Sequence, residues 1–340
     1  MKVIIVTVFR STNCGSYLQA YALKRWMEDR GCEVDFLDLR LDKEQIFIDA
    51  LSHMRDFNIS AIKDIVKVQI GFRPFFGKMN IVSALKAKKK NYDLEIIGGD
   101  EIWNMSRRKF HDISVRGKQI YARNVISYAP SINGAKREDF QSEESKICFQ
   151  NLNAVSVRDA YSQYILGELT DRKIEMTLDP TFLFSREDYE KIVNPLREEK
   201  FLLLYVSFDI QQEWVIQIQR MCREENLKIV SYGWRQKFAD KHVIANPDTF
   251  IQYFLEAEYI ITNSFHGTAF SINFRKKFVD IDVDSQKVKE LLKQFDCEDR
   301  QSKNPQMAIK TLKKNIDDKR VRELQAQYIS NSEEYLIRNI

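Results

Sequence analysis

A chain of 340 residues is long enough for about two domains, each burying a core of its own. Its 53 basic and 49 acidic residues nearly cancel, at +4, and are spread along the chain, which argues against a nucleic-acid or strong membrane-surface field while allowing a small anionic ligand. The five cysteines (Cys14, Cys32, Cys148, Cys222, Cys297) are scattered and never in CxxC spacing, so neither a disulfide framework nor a zinc site is expected and a reducing cytoplasm fits.

The start, MKVIIVTVFR, carries a short apolar run without a small-residue cleavage site, and no stretch approaches the ~20 apolar residues of a membrane span. A protein neither secreted nor membrane-spanning is expected. Val3 to Val8 reads as a β-branched strand. After a polar loop, Leu18, Ala22, Leu23 and Trp26 recur at helical spacing until Gly31 stops the helix, and Val34 to Leu37 reads as a second buried strand. This unit argues for a parallel sheet covered on both faces. Lys43 to Lys90 is helical but irregular and ends in the basic run KAKKK (Lys86 to Lys90), read as a solvated helix face. Leu94 to Ile97, Val125 to Tyr128 and Ala154 to Val157 add three strands. SREDYEKIVNPLREEK, charged and carrying Pro195, reads as a linker.

The second half repeats the pattern: strand Phe201 to Phe208, helix Trp214 to Glu225, strand Lys228 to Ser231, helix Phe250 to Glu256, strand Tyr259 to Thr262, helix His266 to Asn273, strand Phe278 to Ile281. The class is α/β, with two Rossmann-like doubly wound lobes facing a cleft: a domain over 1–190, a second over 198–305, and a helical tail over 306–340 with apolar positions Val321, Leu324, Tyr328 and Tyr335.

Open parallel sheets bind ligands beyond the carboxyl ends of their strands. In FRSTNCGSYLQAYAL, Asn13 can cap the coming helix, Gly15 lets backbone approach a ligand, and free amides at the helix start suit an anion. In IIGGDEIWN, Gly98 and Gly99 end a strand and deliver Asp100, Trp103 and Asn104 to the same edge, a packing tryptophan with a turn aspartate being the alternative. In NSFHGTAF, His266 follows its strand after only three intervening residues, and Gly267 permits close backbone contact. In VSVRDAYS, Arg158 can hold a phosphate or carboxylate bidentately or bridge to a neighbouring acid, and Asp159 can cap a helix. No HxH, CxxC or acidic triplet stands at metal-ligand spacing, and the DxD of IDVDS is assigned to a strand end, so no metal is expected.

NCGSYLQAYAL, IIGGDEIWN, ISYAPS, VSVRD, TLDPTFLF and ITNSFHGTAFSINFRKKFV, in this order, resemble the polysaccharide pyruvyl transferase family over about residues 1–300. The resemblance implies a GT-B-like fold and transfer of pyruvate from phosphoenolpyruvate to a sugar as a ketal, with no cofactor beyond that donor. It implies His266 and Arg158 as the catalytic pair: the imidazole, held neutral near pH 7 by a helix N-terminus, moves protons, and the guanidinium anchors the donor. Asn13, Gly15, Ser16, Gln19, Ser264, Gly267 and Thr268 would bind the donor, and Asp100, Glu101, Trp103 and Asn104 the acceptor, a saccharide or lipid-linked saccharide. The chain departs from the family at Ser264-Phe265-His266-Gly267, where some members have Arg-Leu-His-Gly; at Glu101, where many have an amide; and at Gln286 and Lys287, near which many place an arginine. The rival readings are a glycosyltransferase using a nucleotide sugar, stabilised by a nucleoside diphosphate, and a non-catalytic sugar-binding protein.

Overall fold

The computed structural model describes residues 1–39, 59–107, 110, 114–142, 145 and 149–340. The part of the irregular helical stretch on 40–58 lies outside the described residues. Two compact units are present, the first built from the described residues of 1–39 with Arg73–Leu183 and Tyr328–Ile340, the second from 59–72 and Phe184–Gln327.

In the first unit β1 (Lys2–Val6), α1 (Cys14–Glu28) and β2 (Glu33–Leu37) form the expected entry, with Gly31 turning the chain at φ +78°. There follow α2 (Ile59–Phe76), which begins among residues of the second unit, then β3 (Ile81–Val82), α3 (Ala84–Ala87), β4 (Tyr92–Gly98), β5 (Ala122–Tyr128), β6 (Val155–Val157), α4 (Ala160–Gly167) and β7 (Ile174–Met176). The sheet is parallel throughout, ordered β3-β2-β1-β4-β5, with β6-β7 as a separate parallel pair bridged to β5 at Ile126 and Ala154. Val3 to Val6 are fully buried, as both-face coverage demands of a central strand. The basic run is divided: α3 ends at Ala87, Lys88 and Lys89 are exposed beyond it, and Lys90 pairs with Asp35 at 2.6 Å.

The second unit contains α5 (Arg186–Ile192), β8 (Phe201–Tyr205), α6 (Gln212–Glu224), β9 (Lys228–Tyr232), β10 (Lys241–Val243), α7 (Pro247–Glu256), β11 (Tyr259–Thr262), α8 (Phe265–Asn273), β12 (Lys277–Asp280), α9 (Gln286–Gln294) and α10 (Pro305–Leu312). Its parallel sheet runs β10-β9-β8-β11-β12, the same order as the first, over a core that includes Leu202, Leu204, Trp214, Ile261 and Leu312.

Two expectations are corrected. The stretch read as a linker holds α5, because Ser185 and Asp188 close a capping box (Asp188 N to Ser185 Oγ 3.1 Å, Ser185 N to Asp188 Oδ2 3.2 Å). That places Tyr189, fully buried, edge-on to Phe184, Phe270 and Phe274. The residues read as one tail divide: α10 packs Ala308 and Leu312 into the second core, while α11 (Asp318–Asn339) starts in the second unit and ends in the first. Gln325 of α11 donates to Asn273 Oδ1 at 2.6 Å; further on, the Tyr335 hydroxyl donates to the Ser127 carbonyl at 2.8 Å and Ser332 Oγ accepts from Leu178 N at 2.9 Å.

Candidate active site

Strand order reverses between β1 and β4 in the first sheet and between β8 and β11 in the second. Loops leaving neighbouring strands part there, which opens a crevice at the carboxyl edge of each sheet. Asn13, Asp100 and their neighbours stand at the first of these edges; Ser264 and His266 stand at the second.

At the first edge the loops are tied together. The Asn13 side chain caps α1, accepting from Gly15 N at 2.9 Å and Ser16 N at 3.4 Å, and the Asn13 carbonyl accepts from Tyr17 N at 3.2 Å. Ser16 Oγ donates to Asp100 Oδ2 at 2.5 Å, while Gln19 Nε2 donates to Thr7 Oγ1 at 3.0 Å and to the Ser16 carbonyl at 3.1 Å. A methyl group on Gly99 would stand 1.8 Å from Gln19 Oε1, and one on Gly98 2.0 Å from the Tyr128 carbonyl oxygen, so both glycines are required by packing. Arg158 Nη1 pairs with Asp179 Oδ2 at 2.7 Å and Nη2 approaches Asp100 Oδ1 at 3.7 Å. Thr181 fixes Asp179 by donating from N (3.1 Å) and Oγ1 (2.9 Å) to its other oxygen. Burial works against the guanidinium charge, but Asp179, Asp100 and Asp159 outweigh it and raise the Arg158 pKa.

Backbone strain marks the same edge. Six non-glycine residues are left-handed among those described; Asn226, Arg275 and Asp296 each follow the last turn of a helix, where this conformation is ordinary. The other three, Asp100 (φ +57°), Ala129 (+54°) and Asn133 (+34°), lie in the loops after β4 and β5. Asn133 donates to the Glu101 carboxylate, which also pairs with Arg107 at 3.1 Å. Left-handed conformations held by hydrogen bonds in this way are a mark of functional loops.

Several sequence assignments change here. Arg158 takes the salt-bridge alternative: its side chain is 1% exposed and its guanidinium is paired with Asp179. The Gly15 and Ser16 amides serve the Asn13 cap. Ser16 and Gln19 are buried and act as braces. Trp103, 1% exposed, donates its indole N–H to the Val115 carbonyl at 2.6 Å and packs edge-on to Phe149, so it is the packing tryptophan; Asn104 is buried beside it. Asn13, Asp100 and Glu101 remain at least partly accessible.

At the second edge Ser207 N donates to Asn263 Oδ1 at 3.1 Å and Asn263 Nδ2 donates to Ser207 Oγ at 3.0 Å, joining the loops after β8 and β11. Ser264 is the N-cap of α8, yet its side chain makes no capping bond, and its N–H is turned back to Thr262 Oγ1 at 3.1 Å. His266 therefore occupies the first turn of a helix whose positive end is uncapped by a side chain, with 5% of its surface exposed and its ring edge-on to Phe265. Gly267 is a packing glycine: a methyl group there would lie 2.1 Å from Thr262 Oγ1 and 2.8 Å from Tyr205 Cδ1. Thr268 is buried and donates to Asp280 Oδ2 at 2.9 Å; burial pushes Asp280 up to about 7 against the Thr268 hydroxyl and the Asp282 amide.

The brace of Thr262, Thr268 and Asp280, and Asp179 in TLDPT, escaped the sequence reading; a strand closing on an acid (FVD) was the available signal for Asp280. The DxD of IDVDS does follow a strand end: Asp282 N donates to Asp280 Oδ1 at 2.8 Å, and Asp284 pairs with Lys303 at 3.1 Å. Gln286 is exposed and bonded to Glu290, and Lys287 lies half-buried in the first turn of α9. Among the described residues no group of three His, Cys, Asp or Glu side chains could hold a metal ion, and no helix is long and apolar enough to cross a membrane.

Two doubly wound parallel sheets of identical order, with bonded loops at both switch points and a histidine at one, define a Rossmann-like α/β protein of the GT-B kind. The polysaccharide pyruvyl transferase family model matches residues 13–285, and the chain belongs to that family. Membership makes it an enzyme of polysaccharide pyruvylation. Among solved structures it is similar to UDP-GlcNAc 2-epimerase from Methanocaldococcus jannaschii (10% identity, 94% of each chain covered, TM-score 0.51) and to Arabidopsis thaliana UGT89C1 complexed with UDP (11%, 100% of each chain, 0.52). It is also similar to UDP-GlcNAc 2-epimerase from Neisseria meningitidis bound to UDP-GlcNAc (11%, covering 100% of this chain and 99% of that one, 0.51). At such identities the likeness is one of fold. No curated protein matches the chain.

Proposed function

We propose that the protein moves the pyruvyl group of phosphoenolpyruvate onto two hydroxyls of a saccharide, free or lipid-linked, forming a ketal and releasing phosphate. The observation that carries this reading is His266 in the uncapped first turn of α8, within a chain of the pyruvyl transferase family. Phosphoenolpyruvate brings a phosphate and a carboxylate, and the end of a helix whose N-cap side chain makes no bond favours an anion. The donor is thus assigned to the Ser264 to Gly267 turn of the second unit rather than to the closed α1 turn of the first.

In the reaction the donor's methylene carbon gains a proton, two C–O bonds form at its central carbon, both hydroxyl protons leave, and the C–O bond to phosphate breaks. His266 accepts a proton from an attacking hydroxyl and returns it later as an acid, a role typically worth 10²- to 10⁴-fold in rate. Taken by itself, the first edge offers the partly accessible carboxylates of Asp100 and Glu101, to which a saccharide's hydroxyls can donate, and Arg158 acts by holding Asp100 in place. The reaction is assigned to the cytoplasm, with peripheral association at the inner membrane face when the acceptor is lipid-linked. Incubation with phosphoenolpyruvate and a saccharide panel, followed for phosphate release and for a ketal methyl resonance, tests the reading. Turnover that continues in EDTA is expected; nucleoside diphosphate release from a nucleotide sugar instead would replace it with glycosyl transfer.

A further inference from the structure

The loop after β8 keeps an aromatic ring in water and is held on both flanks. Phe208 is 41% exposed, between Ser207 and Asp209, which are also exposed. On one flank the buried Gln236 donates from Nε2 to the Phe208 carbonyl at 2.7 Å and accepts at Oε1 from Ile210 N at 3.2 Å. Gly233, left-handed at φ +75°, makes the turn that delivers Trp234, whose indole N–H donates to Asp209 Oδ1 at 3.1 Å. On the other flank Ser207 exchanges its two hydrogen bonds with Asn263, three residues before His266. The loop is bonded at Ser207, Phe208, Asp209 and Ile210, so the ring is held in place where it meets water.

We propose that Phe208 is a stacking platform for a pyranose ring of the saccharide acceptor, with Asp209 taking hydroxyl protons at its rim. The chemistry matches in both parts. A pyranose has a face of C–H groups that packs on an aromatic ring and an equatorial edge of hydroxyls that donate to a carboxylate. Asp209 Oδ1 is engaged by Trp234, which orients the carboxylate and leaves Oδ2 for a ligand. The same carboxylate repels the phosphates of a nucleotide, so a sugar face is favoured over a nucleobase. The platform rests on the saccharide-acceptor reading above and adds the residue that would select for ring faces with axial C–H groups.

Saturation-transfer NMR with methyl β-D-galactopyranoside, methyl β-D-glucopyranoside and methyl α-D-mannopyranoside tests it, with a parallel thermal shift against phosphoenolpyruvate. At least one glycoside should receive saturation on the C–H protons of one face, lose it in Phe208→Ala and keep it in Phe208→Tyr, while the phosphoenolpyruvate shift is the same in all three proteins. No transfer to any glycoside, or transfer unchanged in Phe208→Ala, overturns the platform, as does binding of UDP that disappears in Phe208→Ala. A missing phosphoenolpyruvate shift with the glycoside result intact would sink the donor assignment and leave the platform standing.

Discussion

The two switch points share a strand order and differ in how their loops are finished. In the first unit the leading helix is capped by Asn13, its first loop is bonded to Asp100, and the Arg158 guanidinium is enclosed by acids. In the second unit the helix after β11 has no side-chain cap, its anchoring hydroxyls (Thr262 and Thr268) point back into the sheet, and a histidine stands in the first turn. The same topology is thus set up once as a rigid, oxygen-rich edge suited to hydroxyls and once as an edge with helix charge and a titratable ring.

If Arg158 is a structural partner, Arg158→Ala should cost about 3–5 kcal/mol of stability in denaturant unfolding, because Asp179 is left buried without its counter-charge. A variant of native stability that lost only phosphoenolpyruvate affinity would return Arg158 to direct donor binding and break the comparison. His266→Gln should lower turnover by ~10²-fold or more with donor binding retained; near-normal turnover with weakened donor binding would make the ring a phosphate ligand.

Gly267→Ala and Gly99→Ala should each cost about 1–3 kcal/mol by overpacking, Gly99→Ala the more because its φ is +76°, and unfolding midpoints measure both. The caps give a smaller contrast: Asn13→Ala should cost ~1 kcal/mol, Ser264→Ala far less since no capping bond is lost. Equal losses in thermal melts would mean that the α8 end is closed after all.

A further contrast is in pH. Each sheet holds a carboxyl that burial raises far: Glu95 of β4 is pushed up to about 8 against the Tyr121 and Ala122 amides, and Asp280 of β12 up to about 7. A carboxyl whose native pKa lies above its unfolded value of ~4 binds its proton more tightly when folded, so that stabilisation is complete below ~pH 4 and lost as pH rises through the native value. Melting temperature should decline from pH 5 to pH 8.5, with Asp280→Asn removing the part of the slope that ends near 7 and Glu95→Gln the part that extends to about 8.

What could be read in the sequence was what short-range patterning dictates. Buried runs such as YIIT gave their strands, the Asn13 and Asp159 caps fall three residues or fewer from their donors, and His266 could be placed because β11 ends four residues before it. Strands of two or three residues, β3, β7 and β10, are too short to show a period and were missed. The partnerships that decide roles join residues far apart in the chain: Ser16 with Asp100 across 84 positions, Arg158 with Asp179 across 21. Nothing local in VSVRD tells an enclosed guanidinium from an open one, and nothing in GGDEIWN shows that the Trp103 indole turns inward.

The division of α11 bears on how the chain is made. Glu333 accepts from the Trp26 indole at 2.7 Å, Tyr335 reaches Ser127, and Ser332 receives Leu178 N, so the first unit's core is finished by residues translated after every described residue of the second unit. Domains commonly fold as they emerge, amino-terminal first. Here the first unit must wait for the last turns of α11 to be synthesised, while every described residue of the second unit precedes them; during synthesis the unit that carries His266 is therefore able to complete itself before the first.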